Sequence, residues 1–278
     1  MNDKIAGKFK DSLTPYDKAE LKDADEKLEE MFDISQKEKV GLNISPLTQS
    51  VVQSILVATP MYGGMCTGHY TIALMNSINT LKGLQVETLL ASLMNESLIP
   101  RARNELVRLF LEETKCSHIM FIDADIGWKP PDVAKLINAD KDVVAGVYPQ
   151  KVLPIKHVVN TIDNGEQEGN LLEVGTVGTG FMLIKRQVFL DLIEAGANPY
   201  KDDIGLGPDC DDFQYDFFNC TIDSNGRYLT EDWSFCRSVR KIGKKVWADL
   251  SVDLEHSGSF RFQPNLKELR KEYNIGTD

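Results

Sequence analysis

The chain has 278 residues, of which 42% are hydrophobic and 26% are charged, and both values are ordinary for a folded globular protein. This composition excludes a mainly disordered chain and a collagen-like one, and no apolar run reaches the ~18 residues of a membrane-spanning helix. The net charge of −11 argues against a protein that binds nucleic acid or an anionic membrane through its overall charge. Binding through a local basic groove is not excluded by this charge.

Cysteine usage and the first residues indicate the compartment. The five cysteines are odd in number, scattered and without a CxxC pair, which favours reduced thiols over a disulfide framework or a zinc cluster. The opening segment MNDKIAGKFKDS contains no apolar stretch of the kind that a secretory signal needs. We therefore expect a cytoplasmic protein, in the host cytoplasm if the protein is viral.

Residues 1–50 differ in composition from the rest of the chain. They hold eight lysines and 11 acidic residues but no tryptophan or cysteine. Thr14 and Pro15 supply an N-cap and a proline at the first helical position, and apolar residues recur on one stripe, so residues 15–33 predict an amphipathic helix. Residues 37–50 have the composition of a linker. We expect an N-terminal helical extension that packs on the main domain or serves as a partner-binding or oligomerising arm.

From Val51 onwards, the pattern changes to strands that alternate with helices. Strands are predicted over 51–58, 84–91, 118–122 and 143–147, and helices over 67–82, 100–114 and 130–138. This alternation favours an α/β, Rossmann-like fold with a mainly parallel sheet that helices cover on both faces. Ligands of such sheets bind at the carboxyl ends of the strands, so the loops after residues 58, 122 and 147 should line one site.

The second half of the chain is less regular, and we assign residues 51–278 to one domain. The predicted elements are a glycine-punctuated strand over 171–185, a helix over 186–195, a strand over 217–222, a helix over 230–242 and a strand over 245–252. Residues 201–216 hold six aspartates and one lysine. We interpret this acidic segment as a loop near the active face.

The strongest local signal is Asp123-Ala124-Asp125, directly after the apolar strand HIMFI. Two carboxylates at i and i+2, where a strand ends, can converge on one divalent cation at the edge of the sheet. Oxygen ligands suit Mg²⁺ or Mn²⁺, and such a cation completes its coordination with the phosphates of a substrate. The plainer interpretation is a solvated turn before the next helix.

Other uses of the same aspartates can be tested against the sequence. An aspartyl-phosphate phosphatase would require DxDx[TV], but Ile126 and Gly127 follow here. Neither the P-loop pattern GxxxxGK[ST] nor the nucleophile elbow GxSxG occurs. Nucleophilic hydrolases and P-loop ATPases are therefore disfavoured.

A second signal is the acidic pair Glu231 and Asp232 at a predicted helix start. A carboxylate at this position feels the positive end of the helix and stays ionised. Acidic residues are common in first turns, so plain capping is one interpretation. The functional one makes Asp232 a general base beside the metal site.

The third signal is His256, which follows the last predicted strand in the segment DLEHSG. The chain has four histidines, and a lone histidine is more often a satisfied surface or core residue than a ligand. Its position alone leaves both interpretations open.

Taken in chain order, seven segments of this sequence resemble a GT-A-fold glycosyltransferase of the compact, family-2-like group found in tailed phages and related viruses. The resemblance covers roughly residues 55–262. The segments that carry it are 55–64 (ILVATPMYGG), 95–104 (NESLIPRARN), 121–127 (FIDADIG), 142–151 (DVVAGVYPQK), 177–186 (VGTGFMLIKR), 228–236 (YLTEDWSFC) and 252–258 (VDLEHSG). A DxD motif alone is common, but seven segments in this order are specific.

The resemblance implies roles for the charged residues. Asp123 and Asp125 match the DxD motif, with Asp125 on the metal and Asp123 on the metal or the ribose of the donor. His256 matches a third metal ligand, and Asp232 matches the base of inverting members, with Glu231 beside it.

The resemblance also implies a nucleotide site. Thr59, Pro60 and Tyr62 would border the base of the nucleotide, and Arg103 would approach the donor or the DxD loop. The small residues Gly178, Thr179 and Gly180 would leave room for the sugar and the acceptor.

The implied reaction is transfer of a sugar from a UDP-linked donor to an acceptor hydroxyl with Mn²⁺ or Mg²⁺, with inversion if Asp232 is the base. Candidate acceptors are a hydroxymethylated base in viral DNA, a viral protein or a glycan, and the net charge counts mildly against DNA. Two alternatives remain: a nucleotidyltransferase that uses a nucleoside triphosphate, and a non-catalytic nucleotide- or metal-binding virion module. The loop over 59–68 lacks the arginine or lysine of a typical nucleotidyltransferase.

Overall fold

The structure is a computed structural model, which describes residues 54–201, 213–258 and 261–273. The predicted helix over 15–33, the linker over 37–50 and most of the acidic segment 201–216 lie outside the described residues. Within the described ranges, none of the helices combines the length and hydrophobicity of a membrane span. The four described cysteines are free thiols, and Cys210 lies outside the described residues.

Strands and helices alternate through the first half of the described chain, as predicted. The strands are β1 (Ser54–Met61), β2 (Glu87–Met94), β3 (His118–Ile122), β4 (Ile126–Gly127), β5 (Val143–Gly146), β6 (Val159–Thr161), β7 (Gln167–Glu168), β8 (Leu171–Val177), β9 (Phe181–Lys185), β10 (Thr221–Ile222), β11 (Tyr228–Leu229), β12 (Val246–Asp249), β13 (Glu255–Ser257) and β14 (Arg261–Phe262). The helices are α1 (Gly68–Gly83), α2 (Ile99–Glu113), α3 (Asp132–Asn138), α4 (Arg186–Glu194), α5 (Glu231–Lys241) and α6 (Leu266–Glu272).

The described strands form a nine-stranded central sheet in the order β2-β1-β3-β9-β5-β12-β8-β6, with β7 beside β8. β1 runs parallel to β2 and β3, and β5 runs parallel to β12. β9 lies antiparallel between β3 and β5, and β8 is antiparallel to its neighbours. Since β8 and β9 alone oppose the common direction of this sheet, the predicted α/β fold with a mainly parallel sheet is confirmed.

Helices cover both faces of the sheet. Successive residues of a strand point to opposite faces, so apolar side chains on both faces pack against helices. On one face, Phe121 of β3 packs in a core with Phe110 of α2, Phe189 of α4 and Phe235 of α5. On the other face, Phe181 of β9 contacts Trp128, whose ring in turn meets Tyr70 of α1. The inner strands β1, β3, β9, β5 and β12 are buried on both sides, which explains their continuous apolar runs.

Several predicted strands differ from the observed ones: β1 continues to Met61, and the strand predicted over 245–252 ends earlier, at Asp249. The strand predicted over 84–91 begins later, at Glu87, and the strand predicted over 171–185 is divided into β8 and β9. The strand predicted over 217–222 shrinks to the short β10. Its apolar residues instead pack as a loop, in which the Phe218 amide donates to Asn104 Oδ1 at 2.9 Å rather than to a neighbouring strand.

Sequence reasoning did not anticipate the small sheet β14-β13-β4. In it, Glu255 lies opposite Gly127 and His256 lies opposite Ile126, in antiparallel register. This pairing brings the segment after the last strand of the large sheet against the segment that carries the two aspartates.

Candidate functional site

Charged side chains from four parts of the chain meet at the carboxyl edge of β3. Asp123 directly follows β3, and Asp125 directly precedes β4. Arg103 lies on α2, Glu231 begins α5, and His256 lies on β13. This edge is where the alternating fold predicted the site.

Arg103 lies between two carboxylates. Its Nη2 is 3.0 Å from Asp123 Oδ1 and its Nε is 3.6 Å from Glu231 Oε1. Burial of the guanidinium opposes its charge, but the two carboxylates outweigh burial and raise the pKa of Arg103. The buried Nε and Nη1 have no hydrogen-bond partner among the described residues. Arg103 therefore approaches the DxD loop, as the resemblance implied. Its buried Nε and Nη1 groups remain available to donate hydrogen bonds.

Asp125 and His256 face one another. His256 Nε2 is 3.6 Å from Asp125 Oδ1, and Lys151 Nζ contacts Asp125 Oδ2. Burial would raise the pKa of the Asp125 carboxyl, but its contacts with His256 and Lys151 outweigh burial and lower the pKa to about 2. His256 Nδ1 lies 2.8 Å from the Pro149 carbonyl oxygen. Because a carbonyl only accepts, Nδ1 carries the hydrogen in this contact and Nε2 is turned towards Asp125.

Backbone hydrogen bonds fix the segment that carries the aspartates. The Asp123 amide donates to the Gly180 carbonyl at 2.9 Å, and the Ser257 amide donates to the Asp125 carbonyl at 2.8 Å. The Ile126 amide closes a turn by donating to the Asp123 carbonyl at 3.0 Å. The two carboxylates therefore project from a turn that is held by β9 on one side and β13 on the other.

Sequence reasoning missed Tyr148, which fills the space beside the two glycines. Its hydroxyl accepts from the Gly180 amide at 3.2 Å, and its ring lies 5.2 Å from the ring of His256. A Cβ on Gly178 would lie 2.2 Å from the Tyr148 hydroxyl oxygen, and one on Gly180 would lie 2.9 Å from it. The glycines make room for this ring, and the expectation that they also leave room for a sugar and an acceptor stays a prediction. A tyrosine just after a strand at the predicted edge was the available signal.

The acidic pair at the start of α5 divides into two environments. Burial raises the pKa of the Glu231 carboxyl, although Arg103 acts in the opposite direction. Asp232 Oδ1 accepts from the Thr230 hydroxyl and from the Trp233 amide, the latter at 2.8 Å. Burial is the main reason why the pKa of Tyr148 is raised, and the nearby carboxylates of Asp123 and Asp232 add to it. Asp232 therefore belongs to the same electrostatic neighbourhood as the aspartate turn.

The residues assigned to the nucleotide base are mostly covered. Thr59 is buried, with its Oγ1 at 2.5 Å from the Tyr70 hydroxyl, and Pro60 is buried at the end of β1. Tyr62 is 74% exposed. Thr179 is buried, and its hydroxyl has no hydrogen-bond partner among the described residues. Of the three base-lining residues, only Tyr62 presents a face to a ligand in this structure.

The predicted metal ligands are brought together in part. Two ligands at right angles around a cation at ~2.1 Å lie about 3 Å apart, close to the observed separation of Asp125 Oδ1 and His256 Nε2. Asp123 instead turns to Arg103. Within residues 54–201, 213–258 and 261–273, no group of three His, Cys, Asp or Glu side chains is arranged to hold a metal. The pair Asp125 and His256 fits a cation that takes its other ligands from phosphate and water, and the three-residue set stays a prediction.

No family model and no curated protein matches this chain. Among solved structures, the crystal structure of A197 from STIV is similar, with 20% sequence identity and a TM-score of 0.45. The similarity covers 76% of this chain and 94% of that one. What this chain does is therefore argued from its own residues.

Proposed function

We propose that this protein is a GT-A-type glycosyltransferase that moves a sugar from a UDP-linked donor to an acceptor hydroxyl. The observation that supports this most is the convergence at the carboxyl edge of β3. There, Arg103 holds Asp123 and approaches Glu231 at the start of α5, and His256 faces Asp125. Buried, mutually perturbed charges at the ligand-binding edge of an α/β sheet are typical of an active site.

Asp125 and His256 are the residues that would hold a divalent cation, Mn²⁺ or Mg²⁺. When bound, such a cation neutralises the charge that grows on the leaving diphosphate. The Pro149 carbonyl accepts a hydrogen bond from His256 Nδ1, so Nε2 is the ring nitrogen that would bind the cation. Arg103 holds Asp123, whose carboxylate would accept hydroxyl hydrogens from the ribose of the donor.

Asp232 is the proposed base. Glu231 is engaged by Arg103, whereas Asp232 is held by the amide of its own helix and keeps one carboxylate oxygen for a substrate. In the proposed reaction, Asp232 takes the proton of the acceptor hydroxyl while that oxygen attacks the anomeric carbon from the face opposite the leaving diphosphate, which inverts the configuration.

The test is release of nucleoside diphosphate from a panel of UDP-sugars with Mn²⁺, together with thermal shift to detect donor binding. Asp232→Asn keeps the shape of the side chain but removes the base, so turnover should fall by about 10²-fold while donor binding changes little. Asp253→Asn is the matched control, because Asp253 is an exposed acid paired with Lys129 near the same edge.

Three results would contradict the proposal: full turnover by Asp232→Asn, full turnover in EDTA, or pyrophosphate release from nucleoside triphosphates in place of diphosphate release from sugar nucleotides. The last result would indicate a nucleotidyltransferase instead.

A further inference from the structure

We propose that Lys151 is an internal counter-ion of Asp125, which a divalent cation displaces and which then binds the diphosphate of the donor. This inference rests on the proposed function. Lys151 Nζ contacts Oδ2 of the same carboxylate whose Oδ1 faces His256. The resemblance gave Lys151 no role.

The geometry makes the lysine and a divalent cation competitors. A cation held by Asp125 and His256 would lie within a few ångströms of the Lys151 ammonium, and like charges at that separation repel one another strongly. Both Asp125 and Lys151 have side chains that are 37% exposed, so the lysine can leave without opening the core. The ion pair therefore occupies the carboxylate when the cation is absent.

The backbone before Lys151 is held in place, which limits how far the displaced side chain can reach. Pro149 pairs with His157, and the Gln150 amide donates to the Lys156 carbonyl at 2.7 Å, so the chain is fixed immediately before Lys151. The side chain has a flexible four-carbon stem and ends in a compact charge, which suits phosphate oxygens that approach from varying directions. A diphosphate bound to the cation on Asp125 lies within reach of this stem.

If a cation displaces Lys151, removal of the lysine should change the affinities for Mn²⁺ and for UDP in opposite directions. Without nucleotide, Lys151→Gln should bind Mn²⁺ roughly two- to fivefold more tightly, because a half-exposed competing ion pair is removed. With saturating Mn²⁺, the same variant should bind UDP roughly tenfold more weakly, because a charge-assisted contact to phosphate is lost. An ion pair that is merely structural would move neither affinity.

The experiment measures Mn²⁺ binding by electron paramagnetic resonance and UDP binding by calorimetry in the full chain. Lys151→Arg keeps the charge and should restore most of the UDP affinity. Lys129→Gln, which breaks the exposed pair with Asp253, is the matched control and should leave both affinities at their wild-type values.

Opposite shifts in Lys151→Gln support the proposal. If wild-type protein binds Mn²⁺ and UDP but Lys151→Gln changes neither affinity, or weakens both, the role of Lys151 is wrong while the proposed function stands. If wild-type protein binds neither ligand, both proposals are overturned.

Discussion

Both edges of the central sheet carry clusters of charge, but the two clusters differ in burial. At the amino edge, an open cleft of about 850 Å³ is lined by acidic residues, Lys244, Lys245 and Trp247. Its cation Lys244 bridges Asp142 at 3.0 Å and Asp191 at 2.9 Å, and 20% of its side chain is exposed. At the carboxyl edge, Arg103 bridges two carboxylates with 3% of its side chain exposed.

The two clusters therefore differ in how strongly burial acts on their charges. Exposed ion pairs contribute little stability and need no functional explanation. A guanidinium that is almost fully buried between two carboxylates has lost most of its hydration, so it is retained only where its partners are well placed. The more buried cluster is therefore the better candidate for chemistry.

The largest expected effect tests this contrast directly. Arg103→Met leaves Asp123 and Glu231 without their buried cation and should lower the free energy of unfolding by about 3–5 kcal/mol. Lys244→Met, at the opposite edge, removes a cation that also bridges two carboxylates and should cost less than about 1 kcal/mol. Urea denaturation at neutral pH measures both. Equal losses in the two variants would remove the distinction between the edges.

A second prediction is that His118, at the amino edge of the sheet, causes part of the loss of folding stability in acid. Burial, with the positive charge of Lys185, lowers the pKa of His118 from 6.5 to about 4, while Asp140 and Asp142 act in the opposite direction. The unfolded chain thus takes up this proton at a higher pH than the folded chain does. The contribution of the neutral His118 side chain to the free energy of unfolding is intact above about pH 6.5. About 2–3 kcal/mol of it is lost as the pH falls to about 4.

His118→Asn cannot take up this proton and should show a shallower loss of stability between about pH 6.5 and 4. Denaturant unfolding at several pH values within that window measures the slope. A variant slope equal to that of wild-type protein would place the acid sensitivity elsewhere.

The smallest expected effect tests the packing at the carboxyl edge. Gly178→Ala places a methyl group 2.2 Å from the Tyr148 hydroxyl oxygen, so the ring must shift, and the cost should be about 1–3 kcal/mol. Gly83→Ala, on α1, meets nothing within 4 Å and should be neutral or slightly stabilising. Thermal unfolding compares the two. A neutral Gly178→Ala would mean that Tyr148 is not fixed there.

The sequence predicted features that depend on local pattern. The apolar run HIMFI followed by Asp123 and Asp125 correctly located a buried strand and its carboxyl edge, because strand burial and the direction of parallel strands follow from composition and connectivity. The proximity of His256 to Asp125 came from the resemblance alone. It depends on the pairing of β13 with β4, two strands too short to carry a pattern.

Features that depend on distant packing were missed or wrong. Tyr148 and Lys151 lie in the loop after β5, which the sequence placed at the site, but their contacts with Gly180 and Asp125 depend on tertiary packing that the sequence pattern does not record. The strand predicted at 217–222 has the right composition, but the side chain of Asn104 takes the amide that a neighbouring strand would have needed. Here the tertiary contact with Asn104 outweighs the local preference of these residues for a strand.

The pairing of β4 with β13 also bears on the order in which the protein folds. Contacts between distant positions are entropically costly to close, so they form after the local ones. During synthesis, a growing chain exposes Asp123 and Asp125 long before residues 255–257 exist to cross over them. Until then, Asp125 lacks the imidazole that faces it and the amide that holds its carbonyl. A nascent chain thus carries both aspartates before it carries His256, and the pair of Asp125 and His256 forms only when the small sheet closes.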